Sequence, residues 1–138
     1  MAAIGELIRE EKDGGLSFGD YTLTAKTKKD GFMYQGDSYK IKTFNEITKL
    51  EKNGSFVYES VPGTAVHGFT ATSEKVSFSV EGAQDAQITL ELEPEQDYAV
   101  KVSGEDAGVI KTNLGGKLVI SASLEDGGSV EVVIEKSV

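Results

Sequence analysis

The single histidine and several closely spaced carboxylates are the side chains that could support catalysis in this chain. A Ser/His/Asp mechanism needs an imidazole base, so here it could run only through His67. Glycoside hydrolysis needs two carboxyl groups roughly 5 to 9.5 Å apart, and Glu91 and Glu93 would lie about 7 Å apart on one face of a strand. However, a histidine between Val66 and Gly68 is typical of a packed residue, and strand-face acids are typical of a solvated surface. The residues therefore favour a non-enzymatic role over an enzymatic one, and no catalytic residue is assigned.

Tyrosines are the candidate recognition residues, because carbohydrate sites use flat aromatic rings and the chain has no Trp. Tyr34 and Tyr39 flank a predicted turn at Gly36-Asp37, and we expect both side chains to be exposed and available for binding. Tyr98 begins an inward-facing alternation and is predicted to lie in the core. Tyr34 and Tyr39 are therefore the aromatic binding candidates.

The composition excludes several classes of function. The chain has 138 residues with 14 Lys+Arg against 23 Asp+Glu, a formal net charge of −9, so a nucleic-acid partner is not expected. It has no Cys, which excludes disulfides, thiolate zinc sites and thiol catalysis. The sequence also lacks the spacing of a phosphate loop or a calcium loop. We therefore predict neither a metal site nor a cofactor.

Hydropathy indicates the cellular location of the protein and whether it contacts a membrane. Acidic residues interrupt the N-terminal apolar residues before they form the run of about seven that an export leader needs. Other apolar runs are far shorter than the roughly 20 residues of a membrane span. We expect a cytoplasmic protein without a membrane partner.

Charge is unevenly distributed along the chain. Residues 24–54 carry seven lysines against four acids, whereas residues 55–138 carry five lysines against fourteen acids. The middle of the chain is therefore either a solvated basic face or a surface for an acidic partner.

Apolar residues recur at every second position in the C-terminal half, the spacing that places them on one face of a β-strand. Val76, Phe78 and Val80 form one such run. Glycine-containing turns separate the runs, including Asp126-Gly127-Gly128. The pattern predicts seven short strands between residues 65 and 138, arranged as an antiparallel immunoglobulin-like sandwich.

The N-terminal half is predicted to be rich in β-hairpins. Asn53-Gly54 is the strongest hairpin signal, because both residues tolerate the positive φ of a type I′ turn, and pairing across it sets Leu50 opposite Val57. Further hairpins are predicted at Gly36-Asp37 and at Asp13-Gly14-Gly15. Residues 2–12 fit a helix and a strand about equally well.

Pro62-Gly63 is the natural boundary between the two halves. It divides the chain into an N-terminal β-hairpin region, residues 1–62, and an immunoglobulin-like β-sandwich, residues 63–138. The fold class is therefore all-β, with a hairpin-rich extension preceding the sandwich. Whether the two regions form one domain or two is left open.

Three segments carry a resemblance to a known family. KTFNEITKLEKNGSFVYESVPGT at 42–64, DAQITLELE at 85–93 and IKTNLGGKL at 110–118 resemble a family of short acidic proteins of anaerobic Gram-positive bacteria, some of which are named endosialidases. The resemblance implies a stand-alone cytosolic protein. Sialidases bind a carboxylated sugar with clustered arginines, and this chain has only Arg9, so no catalytic residue is transferred from the family.

Exposed valines suggest self-association. Val133 falls on the solvent face of the last predicted strand, and Val109 and Val119 occupy comparable positions, so the three are predicted to form one patch that binds another copy. We expect a homo-oligomer.

The leading prediction from the sequence is a non-catalytic β protein that acts by binding or self-assembly. The alternative is a carbohydrate-active or carbohydrate-binding protein, which would have a concave site where tyrosines and carboxylates converge.

Overall fold

A computed structural model of the chain describes residues 3–124 and 128–137, and they form thirteen β-strands in two antiparallel sheets. The all-β prediction is confirmed. Within the described ranges, no helix is both long enough and apolar enough to span a membrane. The strands are β1 (Ile8–Glu10), β2 (Leu16–Phe18), β3 (Thr27–Tyr34), β4 (Asp37–Thr43), β5 (Thr48–Lys52), β6 (Ser55–Val61), β7 (Ala65–Ala71), β8 (Lys75–Glu81), β9 (Ala86–Glu91), β10 (Asp97–Val102), β11 (Glu105–Lys111), β12 (Lys117–Ala122) and β13 (Ser129–Lys136).

Both sheets contain strands from both halves of the chain. The seven-stranded sheet has the order β1-β2-β7-β8-β13-β10-β11, and the six-stranded sheet has the order β12-β9-β6-β5-β4-β3. The strands before Pro62 are therefore no extension, because β1 and β2 complete one sheet and β3 to β6 make up most of the other. Described residues on both sides of Pro62 belong to a single hydrophobic core.

The predicted strands and hairpins occur at the expected places. All seven strands of residues 65–138 are present as β7 to β13. The β3–β4 turn lies at Gln35-Gly36, one residue earlier than predicted, because Tyr34 pairs with Asp37. Residues 8–10 are a strand, which resolves the open choice at the N-terminus. The predicted turn at Asp126-Gly127-Gly128 lies largely outside the described residues.

The β5–β6 register differs from the prediction by one residue. Asn53 and Gly54 have φ of 50° and 81°, as a type I′ turn requires. Leu50, however, pairs with Tyr58 and not with Val57, because the register shifts between Leu50 and Glu51. A β-bulge of this kind opposes two residues on one strand to one on the other. It places Tyr58 in the core, fully buried.

Aromatic rings join the two sheets through the core. Tyr58 from the six-stranded sheet packs edge-on against Phe18 and Phe78 of the seven-stranded sheet, with ring centroids 5.2 and 5.9 Å apart. Phe69 lies next to both phenylalanines. Edge-to-face packing of this kind stabilises a core beyond the area that it buries.

The two ends of the sandwich differ. At one end, which we call the closed end, the buried hydroxyls of Thr43, Thr48, Ser60 and Thr64 bond to one another and to the backbone. At the other, the open end, the sheets separate around Tyr39, Lys52, Asn53, Phe69 and Ala71, which line cavities. The same strands reach both ends: β4, for example, runs from Asp37 to Thr43.

Candidate functional site

Two adjoining cavities at the open end form a cleft between the sheets, and each has a volume of about 400 Å³. This is within the range of small-molecule sites. Tyr39, Lys52, Phe69 and Ala71 line both cavities. The first is otherwise mostly apolar, with walls that include Val57, Val76, Leu90 and Leu92, and the second also contains Asp13, Tyr34 and Asp37.

Tyr34 and Tyr39 line the cleft, but the expectation that their rings are exposed is wrong. They are only 6% and 9% exposed, because they pack edge-on against each other with centroids 5.7 Å apart. Both also belong to the hydrophobic core. Little of either ring is therefore available to a ligand for flat stacking.

The hydroxyl of Tyr39 differs from those of the other tyrosines. Tyr21 donates to Glu81, Tyr34 donates to the carbonyl of Gly14, and the hydroxyls of the two remaining tyrosines, Tyr58 and Tyr98, also form hydrogen bonds. Among the described residues, none bonds to the Tyr39 hydroxyl. Every buried side-chain oxygen or nitrogen there has a partner, so the Tyr39 hydroxyl is accessible from the cleft.

Charged and amide groups fix one rim of the cleft. The Asn53 amide donates to Asp37 at 2.8 Å and accepts from the Ser38 backbone N–H at 3.0 Å, and Lys52 lies 3.5 Å from Asp37. The hydrogen bond from Asn53, reinforced by Lys52, lowers the pKa of Asp37. Asp37 is therefore ionised and its charge is compensated at the rim.

The tyrosines of the cleft are poor acids. Burial is the main cause that raises the pKa of Tyr39, and the negative charge of Asp37 adds to it. Burial likewise raises the pKa of Tyr34, with smaller effects from Glu10 and Asp13. Both side chains are therefore neutral phenols at ordinary pH. The Tyr39 hydroxyl, to which no described residue bonds, can either donate or accept a hydrogen bond.

His67 lies on β7 and lines neither cavity of the cleft. Its Nε2 is 2.7 Å from Oε1 of Glu81, a carboxylate only 1% exposed, and Tyr21 donates to the other oxygen at 3.0 Å. Burial, followed by the hydrogen bond to Glu81, raises the pKa of Tyr21 to about 12. Both Glu81 oxygens are thus engaged, and the group attaches the segment after β2 to the seven-stranded sheet, which agrees with a packed histidine.

A shallow concavity beside His67 is lined by Glu11, Lys12 and Asp13. Glu11 accepts from the Ser17 hydroxyl at 2.6 Å and from Arg9 at 3.2 Å. The hydrogen bond from Ser17 is the main cause that lowers the pKa of Glu11. The only arginine of the chain is thus paired with acids of its own segment. The described residues contain no group of three or more His, Asp or Glu side chains that could hold a metal ion.

Glu91 and Glu93 do not form a catalytic pair. Glu91 accepts from Lys117 in the six-stranded sheet at 2.9 Å, whereas Glu93 pairs with Lys136 in the seven-stranded sheet at 2.5 Å. The shared face that we predicted is lost because β9 ends at Glu91, and the chain then turns towards the opposite sheet.

The three valines do not form one patch. Val133 is half-buried and Val109 is 61% exposed, and both lie in the seven-stranded sheet. Val119 is 45% exposed but belongs to β12 of the six-stranded sheet. Because the core lies between the sheets, the outward face of Val119 is on the opposite side of the molecule. The predicted single patch is therefore wrong.

Comparison with known protein families, with curated proteins and with solved structures finds no match to this chain. The resemblance to short acidic proteins of anaerobic bacteria stays a prediction. The geometry of the cleft is therefore the basis on which a function is proposed for this chain.

Sequence reasoning found Tyr34 and Tyr39 but missed the rest of the cleft. Lys52 stands next to the predicted Asn53-Gly54 turn, and nothing in its local pattern marks it as a cleft residue. Phe69 and Ala71 come from the opposite sheet. Only the pairing of distant strands brings these residues together.

Proposed function

We propose that this protein is a non-catalytic binding protein whose ligand lies in the open-end cleft. The observation that carries the proposal is the hydroxyl of Tyr39, a neutral polar group on a residue that lines both cavities of the cleft, to which no described residue bonds. An immunoglobulin-like sandwich would suit such a role, because loops gather at the ends of its sheets. The cytoplasmic location predicted from the sequence is part of the same proposal.

The lining of the cleft defines the chemistry of the ligand. Phe69, Val57 and Leu90 offer apolar contact, and Tyr39 and Lys52 offer hydrogen-bond donors at the mouth. A fitting ligand has an aromatic or aliphatic body and one polar or anionic group that accepts from them. Burying such a body is favourable by roughly 25 cal/mol per Å² of apolar surface.

The state of the carboxylates supports binding over catalysis. Glycosidases keep one carboxyl group protonated so that it can act as an acid. At the cleft, the hydrogen bond from Asn53, followed by the charge of Lys52, lowers the pKa of Asp37. His67 bonds to Glu81 and does not line the cleft.

A second candidate is carbohydrate binding. The second cavity brings Tyr34 and Tyr39 together with Asp13 and Asp37, which is the convergence of tyrosines and carboxylates that such a function predicts. The buried ring faces argue against stacking a sugar. The apolar ligand is therefore the leading proposal.

The test uses a blocked cleft. Ala71 lines both cavities with an exposed small side chain, so Ala71→Trp fills the cleft. We expect it to weaken binding of the fluorescent probe 1-anilinonaphthalene-8-sulfonate at least tenfold. The matched control is Val109→Trp, at an exposed position of β11 outside the cleft, which should leave the probe affinity unchanged.

Equal effects of the two substitutions would contradict the proposal. Thermal melts of both variants check that each is folded. In parallel, a panel of oligosaccharides is titrated by calorimetry. The second candidate would replace the first if the parent protein binds an oligosaccharide and not the probe, and if Ala71→Trp abolishes oligosaccharide binding.

A further inference from the structure

Four strands form the edges of the two sheets: β1 and β11 in the seven-stranded sheet, and β3 and β12 in the six-stranded sheet. An edge strand presents unpaired backbone N–H and C=O groups, and proteins protect such edges with short strands, charges or bulges. The four edges differ in how far they are protected.

Three of the edges carry such protection. β1 has only three residues. β3 carries Lys28 and Lys29 and an irregular register beside Gly31, whose φ is 72°. β11 carries Glu105 and Asp106, and its pairing with β10 is interrupted near Gly108, whose φ is 96°.

β12 is neither short nor bulged, and it carries a single charged residue. It forms six consecutive pairs with β9 without a register shift, and no other described strand pairs with its second edge. Its one charged residue, Lys117, lies 3.6 Å from the centroid of the Phe56 ring and 2.9 Å from Glu91. The lysine is therefore held over its own sheet and does not guard the edge.

The free edge of β12 also has space beside it. A cavity of about 290 Å³ lies between Ser121 and Ser123 on one side and the tip of the β10–β11 hairpin, including Asp106, on the other. Val119, midway along the strand, is 45% exposed. An apolar, regular and accessible edge of this kind is the structure on which strand addition occurs.

We propose that β12 pairs antiparallel with β12 of a second copy of this chain, about a two-fold axis at Val119. This pairing joins two six-stranded sheets into one sheet of twelve strands. It is isologous, so it closes as a dimer and does not propagate.

The sequence of β12 is complementary to itself in this register. Val119 faces Val119 of the second copy, which covers the exposed side chain, and Leu118 faces Ile120 on the inner face. Lys117 lies opposite Ser121 of the second copy, so the two lysines are about 13 Å apart along the ladder and do not oppose each other. A foreign peptide would need its own matching alternation, whereas the second copy already has it.

The experiment measures mass and cross-linking of the full chain at micromolar concentration. Light scattering should give about twice 14.7 kDa, and Val119→Lys, which sets two charges face to face, should weaken the dimer at least tenfold. Val109→Lys on the protected β11 edge is the matched control and should remain dimeric. Thermal melts confirm that both variants are folded.

The register is tested with single cysteines, because the chain has none of its own. With copper(II) phenanthroline as oxidant, Val119→Cys should form a disulfide-linked dimer at least tenfold faster than Ser121→Cys, whose copies would be about 13 Å apart. A monomeric mass overturns the proposal. So does a dimer insensitive to Val119→Lys, faster cross-linking through Ser121→Cys, or a monomer that binds an added peptide copying residues 117–122.

Discussion

The closed and open ends of the sandwich stand on the same strands but differ in how their polar groups are satisfied. At the closed end, Thr48 accepts from the Thr64 backbone N–H and donates to its carbonyl oxygen, and Tyr58 bonds to the Thr64 hydroxyl. At the open end, Tyr39 lines the cleft and no described residue bonds to its hydroxyl. The buried hydroxyls of the closed end bond within the protein, whereas the Tyr39 hydroxyl of the open end is available to a ligand.

This difference separates structural polar residues from binding residues. A buried polar group without a partner destabilises the folded state, so a satisfied network such as that around Thr64 fixes the packing. Glu81 is also a structural polar residue, because His67 and Tyr21 bond to its two oxygens. Glutamate, histidine and tyrosine are nevertheless residue types that occur in catalytic sites. An accessible hydroxyl in an apolar cleft costs the fold little and is available to a ligand.

The largest effect is expected from a glycine at the closed end. A Cβ added at Gly63 would lie 2.0 Å from the carbonyl oxygen of Phe44, so Gly63→Ala must displace backbone. We expect a loss of about 3 kcal/mol or more in the free energy of unfolding. The control is Gly54→Ala at the open end, where no atom lies within 4 Å and only the positive φ is strained. Chemical denaturation compares them, and similar losses would contradict the tight packing of the closed end.

Removal of the buried carboxylate should come next. Glu81→Ala leaves His67 and Tyr21 without their shared partner, and we expect a loss of about 3 kcal/mol, because unpaired buried polar groups are costly. Glu81→Gln keeps the shape and should lose less. The control at the open end is Asp37→Ala, whose partners are solvated and which should lose clearly less than Glu81→Ala. A stable Glu81→Ala variant would show that the group is not structural.

The β5–β6 turn gives a smaller effect. Gly54 has a φ of 81°, and Gly54→Val forces a β-branched residue into this region at a cost of the order of 1–3 kcal/mol. Because the turn borders the cleft, the variant should also bind the probe less well. Thermal melts measure the first effect, and an unchanged midpoint would rule out the type I′ turn.

The strands and turns were predictable from the sequence because their signals are local. The alternation in Val76, Phe78 and Val80 and the positive φ tolerance of Asn53-Gly54 each act over a few residues. Pairing between distant strands was not predictable. β13 lies between β8 and β10, and no local pattern indicates this order.

The candidate site was only half predictable for the same reason. Tyr34 and Tyr39 were identified by their place beside a turn, but their burial depends on each other and on the opposite sheet. The β-bulge that moves Tyr58 opposite Leu50 also depends on packing. The three valines were grouped by their outward alternation, which shows that a residue faces solvent but not on which side of the sandwich it lies.

Tyrosine ionisation should show the buried environment at both ends. The pKa of Tyr21 is raised to about 12 by burial and by Glu81, and burial raises those of Tyr34, Tyr39 and Tyr58. Folding thus favours the neutral phenols, so their contribution to stability is complete below about pH 10, the usual tyrosine pKa. Tyr21's share is lost as the pH rises through about 12. At pH 10, phenolate absorbance should be well below that of the denatured chain, and equal absorbance would contradict the burial.

The most direct test of the central claim compares Tyr39→Phe with Tyr58→Phe. Each removes one hydroxyl, and both the free energy of unfolding and the affinity for 1-anilinonaphthalene-8-sulfonate are measured. Tyr58→Phe should lose about 1 kcal/mol of stability, because the Thr64 hydroxyl loses a partner, and should keep its probe affinity. Tyr39→Phe should keep its stability and bind the probe several-fold more weakly. A Tyr39→Phe variant that loses stability but binds the probe as the parent does would contradict the account.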